Sequence, residues 1–303
     1  MSKLKTWLGT IIAVLIFIAV VPSLIINISS QYSDLIKPHV KVASIKINGK
    51  ISENESYITQ LNKYFQDKEV KAILLEIDSP GGHAGSSCAI FNEINCLKKE
   101  YPKPLVVLVN DICASAGYHI ACTADYIISS RAALVGSIGA FVQFFNVSAL
   151  LKKYDVNYVV KGAGAYKTIA NPFAPSNTEC EQLLQELANN SYAQFSTDVA
   201  MCRKLSLKEL DVWGNGKIFT GEQALKLGLI DECGSKYNAI QKIRELALVK
   251  ADEKIVWVKE KGPNALTKLL ENRMSAVSMS NESLENLAES FFAKLQSGFI
   301  SSH

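Results

Sequence analysis

Apolar positions along the chain form one uninterrupted segment near the start, followed by a longer stretch in which short apolar runs alternate with amphipathic ones. No charged residue occurs between Thr6 and Ser33, and residues 7–28 are dense in isoleucine, valine, leucine and alanine. A transmembrane helix needs about 20 apolar residues. The pattern therefore predicts a transmembrane anchor over residues 7–28, preceded by a short tip of residues 1–6.

A cleaved secretory signal is the alternative interpretation of this segment. Signal peptides have a shorter apolar region, about 7–15 residues, which ends in a small-x-small cleavage site. Here the run is longer and no Ala-x-Ala closes it, which favours an anchor that is retained. Lys3 and Lys5 precede the segment, so the positive-inside rule predicts a cytoplasmic N-terminus and places the rest of the chain across the membrane. Lys37 and Lys41 on the far side reduce this asymmetry.

The pattern after a polar connector, residues 29–40, predicts an α/β domain over residues 41–250. Two apolar runs, 105–109 and 72–77 with Glu76 as its one polar residue, are typical of strands that are buried on both faces of a sheet. Such strands alternate with helical patterns, which indicates a mostly parallel sheet. Residues 251–303 read as a C-terminal strand and a helical tail. The other predicted elements are strands at 42–47 and 126–128 and helices at 54–67, 84–99, 115–124, 178–204 and 221–228.

Composition limits the partners and cofactors that the chain could use. A net charge of +3, without clusters of basic and aromatic residues, gives no reason to expect nucleic acid binding. Seven cysteines form no CxxC pair and no metal-ligand spacing, so no metal is expected. No P-loop or GxGxxG pattern suggests a nucleotide. An odd number of cysteines argues against a complete disulfide framework, yet one or two bridges stay possible.

Candidate chemistry lies at the ends of predicted strands, where open α/β sheets place their sites. Gly81 and Gly82 follow a strand and could present backbone N–H groups to an oxyanion, although many such glycine pairs are simple turns. Ser115, between small residues at a strand-to-helix junction, could be a nucleophile or could merely cap the helix. Cys113 is a rival nucleophile, but its position predicts that it lies within the strand.

The base that would activate such a serine is harder to identify. The four histidines are His39, His83, His119 and His303, of which His83 beside the glycine turn is the best imidazole candidate. Lys167, in a segment of small residues, is the alternative. A lysine can act as a base only where its surroundings keep the amine neutral. The residues alone leave the choice between histidine and lysine open.

Five motifs, taken in order, resemble the signal peptide peptidase A family, whose members are serine peptidases of the ClpP/crotonase fold. The resemblance covers about Val42 to Gly234 and is specific because the order of all five motifs is kept. The motifs are Asp78-Ser79-Pro80-Gly81-Gly82, Ala114-Ser115-Ala116-Gly117-Tyr118, Val135-Gly136-Ser137-Ile138-Gly139, Tyr166-Lys167 ahead of Asn171-Pro172-Phe173, and Lys217-Ile218-Phe219-Thr220-Gly221 leading into Ala224 to Asp231.

The resemblance implies a domain of repeated ββα units and a role for each matched residue. Ser115 corresponds to the nucleophile, Lys167 to the general base and Ser137 to the serine that orients the lysine. Gly82 corresponds to the oxyanion-hole glycine, and the N–H of Ala116 would be the second donor. ClpP-like enzymes would instead have a histidine about 25 residues after the serine, where this chain has alanine.

Two positions depart from the family pattern without removing a catalytic atom. Ala116 stands where glycine is usual, so its methyl could narrow the substrate side of the site. His119 stands where an aromatic residue is commoner.

The resemblance also implies a function and a location. We expect a serine endopeptidase of the bacterial inner membrane, single-pass, with its catalytic domain on the extracytoplasmic side. Cleaved signal peptides or other apolar peptides would be its substrates, and a homo-oligomeric ring would share sites between subunits, so that Lys167 could complete a neighbour's site. The alternatives are a peptidase that processes membrane proteins, a crotonase-type acyl-CoA enzyme and an inactive membrane scaffold.

Overall fold

The computed structural model of the protein describes residues 39–259 and, within the predicted anchor, Phe17, Val21 and Pro22. In this part of the chain the strands are β1 (His39–Asn48), β2 (Val70–Ser79), β3 (Leu105–Ala114), β4 (Tyr126–Ser129), β5 (Leu134–Gly136), β6 (Ile218–Thr220), β7 (Glu232–Cys233) and β8 (Lys254–Val258). The helices are α1 (Glu55–Gln66), α2 (Ala84–Glu100), α3 (Ala116–Ala121), α4 (Ser148–Lys153), α5 (Thr178–Arg203), α6 (Leu210–Trp213), α7 (Gly221–Lys226) and α8 (Lys236–Leu246), with a 3₁₀ turn at Leu207–Glu209.

The strands form an eight-stranded sheet in the order β6-β5-β3-β2-β1-β8, and β4 pairs with β3 and β7 beside this path. Neighbouring strands are parallel except β5 and β6, which are antiparallel. On the side away from β2, the long strand β3 pairs with two strands in succession: Val106–Val109 pair with β4, and Ile112–Ala114 pair with β5. The sheet therefore branches at β3, and the C-terminal end of β3 lies beside β5.

Both faces of the central strands are buried, which explains their mainly apolar sequences; the buried Glu76 of β2 accepts hydrogen bonds from Ser44 and Lys236. On β2, Ile73, Leu75 and Ile77 belong to one apolar cluster, while Leu74 belongs to a second cluster with Ile243 of α8. Alternating side chains of a strand point to opposite faces. Burial on both faces requires apolar residues at every position, as parallel sheets covered by helices generally show.

The predicted α/β class is confirmed, and the elements agree with their predicted positions to within a few residues at most ends. The sheet reaches beyond the expected domain limits, because β1 begins at His39 and pairs with β8, which is built from residues of the predicted tail. The helical part of that tail lies outside the described residues. So does the predicted anchor, apart from its three described positions.

Among residues 39–259 and the three described positions of the predicted anchor, no helix combines the length and the apolar character that crossing a membrane would require.

Candidate active site

Ser115 occupies a strained position between β3 and α3. Its backbone has φ 51° and ψ −124°, which is uncommon for a residue with a side chain, and its N–H donates to the Gly136 carbonyl at 2.8 Å. It stands at the N-cap of α3, yet its side chain makes no capping hydrogen bond. The capping role considered from the sequence is therefore not observed. A strained serine at a strand-to-helix turn is typical of nucleophiles whose hydroxyl is presented to substrate.

The glycine turn after β2 packs directly against this serine. Gly81 has φ +110°, and a Cβ there would lie 2.7 Å from the Ser115 Cβ and 3.1 Å from the Ala116 nitrogen. Only glycine allows the two backbone segments to approach this closely. The turn is itself held by Ser79, whose hydroxyl donates to the Gly49 carbonyl at 2.6 Å and lies 3.1 Å from the Gly81 nitrogen.

Gly82 forms a parallel bridge with Ile51 that fixes the direction of its N–H group. The bridge uses flanking groups: the Ile51 N–H donates to the Gly81 carbonyl at 2.9 Å, and the His83 N–H donates to the Ile51 carbonyl at 2.8 Å. In parallel pairing the N–H of the residue between these groups points the other way. The Gly82 N–H is thus turned away from Ile51, and Gly82 borders the same cleft as Ser115.

The start of α3 supplies a second backbone donor beside Ser115. Ala116 is the first residue of the helix, so its N–H lacks an acceptor within the helix. The next residue, Gly117, packs so closely on β2 that a Cβ would lie 3.1 Å from the Ser79 carbonyl oxygen. The small residues around Ser115 therefore allow α3 to lie against the strand ends, with its N-terminus at the serine.

Ser137 is brought next to Ser115 by the pairing of β3 with β5. Gly136 pairs with Ala114, and the neighbouring Ser137 has φ 51° and donates its N–H to the Lys217 carbonyl at 2.8 Å. Ser137 is half-buried and borders the same cleft as Ser115. Two of the side chains predicted for the site, Ser115 and Ser137, therefore share one cleft with Gly82 and Ala116.

The cleft has a volume of about 900 Å³ and an apolar wall. It is bordered by residues 80–85, by the segment 139–143 and by one face of α5. Phe195 of α5 contributes to this wall, as does Phe141, whose side chain is 78% exposed. The cleft could therefore accept an extended apolar peptide, with Ser115 at its floor.

Lys167 does not lie in this cleft. It is exposed, in a turn where its N–H donates to the Gly164 carbonyl at 3.1 Å. Lys167 belongs to the segment of residues 144–177, between β5 and α5, which is rich in exposed apolar side chains. Within it, Phe145 is 88% exposed and Val159 is 64% exposed. One copy of the chain thus brings together four of the five predicted site residues and leaves the fifth on an exposed apolar surface.

Cys113, the rival nucleophile, is placed as its sequence position predicted. It is fully buried within β3, and burial raises the pKa of its thiol strongly. A thiol that is neutral and inaccessible is a poor nucleophile.

His119 is engaged on both ring nitrogens, which makes it a poor proton acceptor for Ser115. Its Nε2 lies 2.9 Å from an Asp198 carboxylate oxygen, and its Nδ1 lies 3.2 Å from the Ser87 hydroxyl oxygen. The ring stacks on Phe91 and packs against Phe195. This burial lowers the pKa of His119, although the Asp198 carboxylate opposes the shift. A neutral ring that donates to Asp198 fits both observations.

Two part-buried polar pairs that involve α5 were not predicted from the sequence. Besides His119 and Asp198, Arg203 forms two hydrogen bonds with the Asp231 carboxylate, at 2.8 and 3.0 Å. The Tyr118 hydroxyl donates to the Leu229 carbonyl at 2.7 Å. The members of each pair are far apart in the sequence, so no local pattern connects them. The one sequence signal for such a pair was the charged Asp231 at the end of the mainly apolar run 224–231.

No group of acidic, histidine and cysteine side chains suited to a metal ion occurs among the described residues. The arrangement at Ser115 combines a presented hydroxyl with two backbone N–H donors. That combination, at the carboxyl ends of parallel strands, is typical of serine hydrolases, which stabilise the reaction with an oxyanion hole.

Comparison with known proteins identifies the family. The model of peptidase family S49 matches residues 98–250, half of the chain, and the Clp protease model matches residues 28–137. A candidate protease of Synechocystis is 33% identical over 214 residues, covering 70% of this chain and 76% of that protein. The chain belongs to peptidase family S49, the signal peptide peptidase A family.

Two further relatives show how much of each protein is shared. A candidate protease of Methanocaldococcus jannaschii is 37% identical over 197 residues, which cover 65% of this chain and 63% of the relative. A protein of Enterococcus faecium, named as a candidate signal peptide peptidase, is 29% identical over 218 residues, which cover 68% and 63%. The matched region thus spans less than two thirds of the length of these two relatives.

Proposed function

We propose that the protein is a membrane-anchored serine endopeptidase that cleaves apolar peptides, including signal peptides released in the membrane. Ser115 would be the nucleophile, Lys167 the general base and Ser137 the residue that orients the lysine amine. The oxyanion would be bound by the N–H groups of Gly82 and Ala116. The observation that carries the proposal is the strained Ser115, whose side chain caps no helix and which borders the same cleft as Gly82 and Ala116.

The proposed reaction follows the usual course of acyl transfer. The neutral Lys167 amine takes the Ser115 proton as the serine oxygen attacks the scissile carbonyl. The negative charge that develops on the carbonyl oxygen is stabilised by the two N–H groups, which are fixed by the folded backbone before substrate arrives. The lysine then protonates the leaving amine, and water, activated by the same lysine, releases the acyl-enzyme.

Lys167 would complete the site of a neighbouring subunit in a homo-oligomeric ring. Support comes from its position outside the cleft of its own copy and from the exposed apolar side chains of its segment, including Phe145 and Val159. Large exposed apolar patches commonly mark protein interfaces. A head-to-tail contact of this kind closes into a ring when its rotation allows.

The membrane location rests on the sequence of residues 7–28 and on the apolar cleft. We propose a single-pass protein of the bacterial inner membrane with its catalytic domain on the extracytoplasmic side. An anchor would hold the cleft close to apolar peptides that lie in the lipid. The name of the Enterococcus faecium relative supports signal peptides as substrates.

Membership of peptidase family S49 argues against the crotonase-type acyl-CoA alternative. An inactive scaffold would be expected to lack part of the catalytic set, whereas this chain keeps the four residues that match it, Ser115, Lys167, Ser137 and Gly82. Cleavage of membrane proteins would use the same cleft and the same residues. It differs from the proposal in substrate alone.

The test compares Ser115→Ala and Lys167→Ala in the full chain, purified in detergent, with an apolar signal-like peptide as substrate. Both variants should lose activity by several orders of magnitude while remaining folded. Lys161→Ala is the matched control, because Lys161 is an exposed lysine of the same segment. It should keep the activity of the unchanged protein. Full activity in either of the first two variants would refute the dyad.

Mixing the two inactive variants tests whether sites are shared. If Ser115 of one subunit meets Lys167 of the next, equal amounts co-assembled at random should recover about a quarter of the activity, since each working site needs one of each variant in the right order. If both residues act within one copy, the mixture stays inactive. That result would remove the shared site while leaving the dyad itself in place.

A further inference from the structure

Helices α3 and α5 are joined by two side-chain pairs, one turn apart on each helix. The first pair is His119 and Asp198, described above. The second is Cys122, directly after α3, and Cys202, near the end of α5. Positions 119 and 122 are three residues apart at α3, and positions 198 and 202 are four residues apart on α5. Residues at these spacings lie on the same face of a helix. The two contacts therefore form successive links between the same two elements.

The two thiols of the second pair border the same cleft and interact with each other. The side chains of Cys122 and Cys202 hydrogen-bond to each other, and the Cys122 thiol also lies 3.1 Å from the His119 carbonyl oxygen. Cys122 is buried and Cys202 is half-buried. Neither residue has a place in the proposed peptidase chemistry.

A second cleft gives solvent access to this thiol pair. It has a volume of about 430 Å³ and is bordered by both cysteines together with Lys98, Arg203 and Lys204. The hydrogen bond between the two thiols lowers the pKa of Cys202, and Lys98 and Arg203 add to this shift, although partial burial and the Asp198 carboxylate oppose it. Burial raises the pKa of Cys122. The exposed partner is thus the more readily ionised of the two, as a thiol needs to be for exchange with a disulfide in solution.

We propose that Cys122 and Cys202 form a thiol–disulfide exchange site, at which an external small-molecule disulfide links the end of α3 to α5. The Cys202 thiolate attacks one sulfur of the external disulfide, forms a mixed disulfide and releases the first small thiolate. The Cys122 thiolate then attacks the Cys202 sulfur, forms the internal bond and releases the second. Two cysteine thiols are oxidised, one external disulfide is reduced, and the two protons pass to the released thiolates.

The cross-link would act on a wall of the cleft that holds Ser115. α5 presents Ala188, Ser191 and Phe195 to that cleft, and α3 begins at the nucleophile. The bond would close a loop of about 80 residues, which restricts the unfolded chain strongly. It would therefore fix α5 against α3 and stabilise the folded domain.

The test uses the full chain in detergent, equilibrated with oxidised or reduced glutathione, then blocked with an alkylating agent. Peptide mapping without reduction should find Cys122 joined to Cys202 in the oxidised sample only. The oxidised protein should melt higher by about 5–15 °C. Both readouts are independent of peptidase activity, so a failure of the proposed function would not alter them.

Cys202→Ser is the informative variant, because the side chain that it changes is only half-buried and the fold should persist. It should lose both the linked peptide and the rise in melting temperature. Cys96→Ser, which changes an exposed cysteine on α2, is the control and should keep both. The proposal is overturned if the oxidised protein shows no Cys122–Cys202 peptide, or if Cys202→Ser melts as high under oxidation as the unchanged protein.

Discussion

Replacing Gly82 by alanine tests the oxyanion donor directly, because the structure fixes what the new methyl group would meet. An ideal Cβ on Gly82 lies 2.0 Å from the Ile51 carbonyl oxygen, whereas ordinary contact begins at 3.4 Å. The two backbone segments must separate by roughly 1.4 Å, the difference between these distances. Both segments are main chain, so no side-chain rotation can relieve the overlap.

The expected cost follows from the groups that this separation breaks. The bridge between Gly82 and Ile51 contains two backbone hydrogen bonds. Each contributes about 0.5–1.5 kcal/mol, so the free energy of unfolding should fall by about 1–3 kcal/mol. The Gly82 N–H would also leave its position beside Ser115. Loss of one oxyanion donor lowers kcat by about 10²- to 10³-fold.

Gly85→Ala is the matched control within the same cleft. Gly85 is the second residue of α2, and a Cβ there meets no atom within 4 Å. Alanine should keep kcat unchanged and could stabilise the helix by about 0.5–1 kcal/mol. The assay measures kcat on an apolar peptide, together with urea unfolding, under conditions in which each variant is folded. If Gly82→Ala kept kcat within tenfold of the unchanged protein, or if Gly85→Ala lost as much, the assignment of the Gly82 donor would be wrong.

Three further variants address the other residues around the site. Ser137→Ala should lower kcat by about 10²-fold with little change in stability, because the lysine amine loses its orienting partner while nucleophile and base remain; an unchanged kcat would remove Ser137 from the site. Cys113→Ala should leave kcat within about twofold and lower the free energy of unfolding by about 1 kcal/mol, since only a buried thiol is lost. A large loss of kcat would indicate that Cys113, and not Ser115, is the nucleophile. Burial lowers the pKa of His119 in the folded chain, so below about pH 6.5 the unfolded chain binds a proton that the folded chain does not. The free energy of unfolding should therefore decrease as the pH is lowered, by up to about 1.4 kcal/mol per pH unit. Urea unfolding between pH 7.5 and 5.5 should show this slope reduced in His119→Gln, and an equal slope in both proteins would contradict the burial of a neutral ring.

The sequence predicted the central sheet well because its strands are buried on both faces. Strands β2 and β3 needed apolar residues at almost every position, and such runs are visible without any knowledge of pairing. Strands β5 and β6 were missed, since three-residue strands carry little pattern of their own. Ser115 stood out because small residues must surround a tight strand-to-helix turn.

Side-chain pairs between residues that are far apart in the sequence could not be predicted from local sequence patterns. His119 and Asp198 are 79 positions apart, and either residue alone is compatible with an exposed surface position. The burial that makes the pair important depends on how α5 packs against α3, which no local spacing encodes. The same applies to Arg203 and Asp231.

The position of Lys167 shows why its proposed role rests on the motif order and not on the geometry of one copy. Within the domain, Gly82, Ser115 and Ser137 are positioned by strand ends that pair directly with one another, so their proximity follows from the sheet. Lys167 belongs to an exposed segment, which the sheet does not position. If a neighbouring subunit buries that segment, the same contact would both cover its apolar side chains and deliver the base. Activity would then depend on assembly, and dilution below the dissociation constant of the oligomer should abolish cleavage in the unchanged protein without unfolding it.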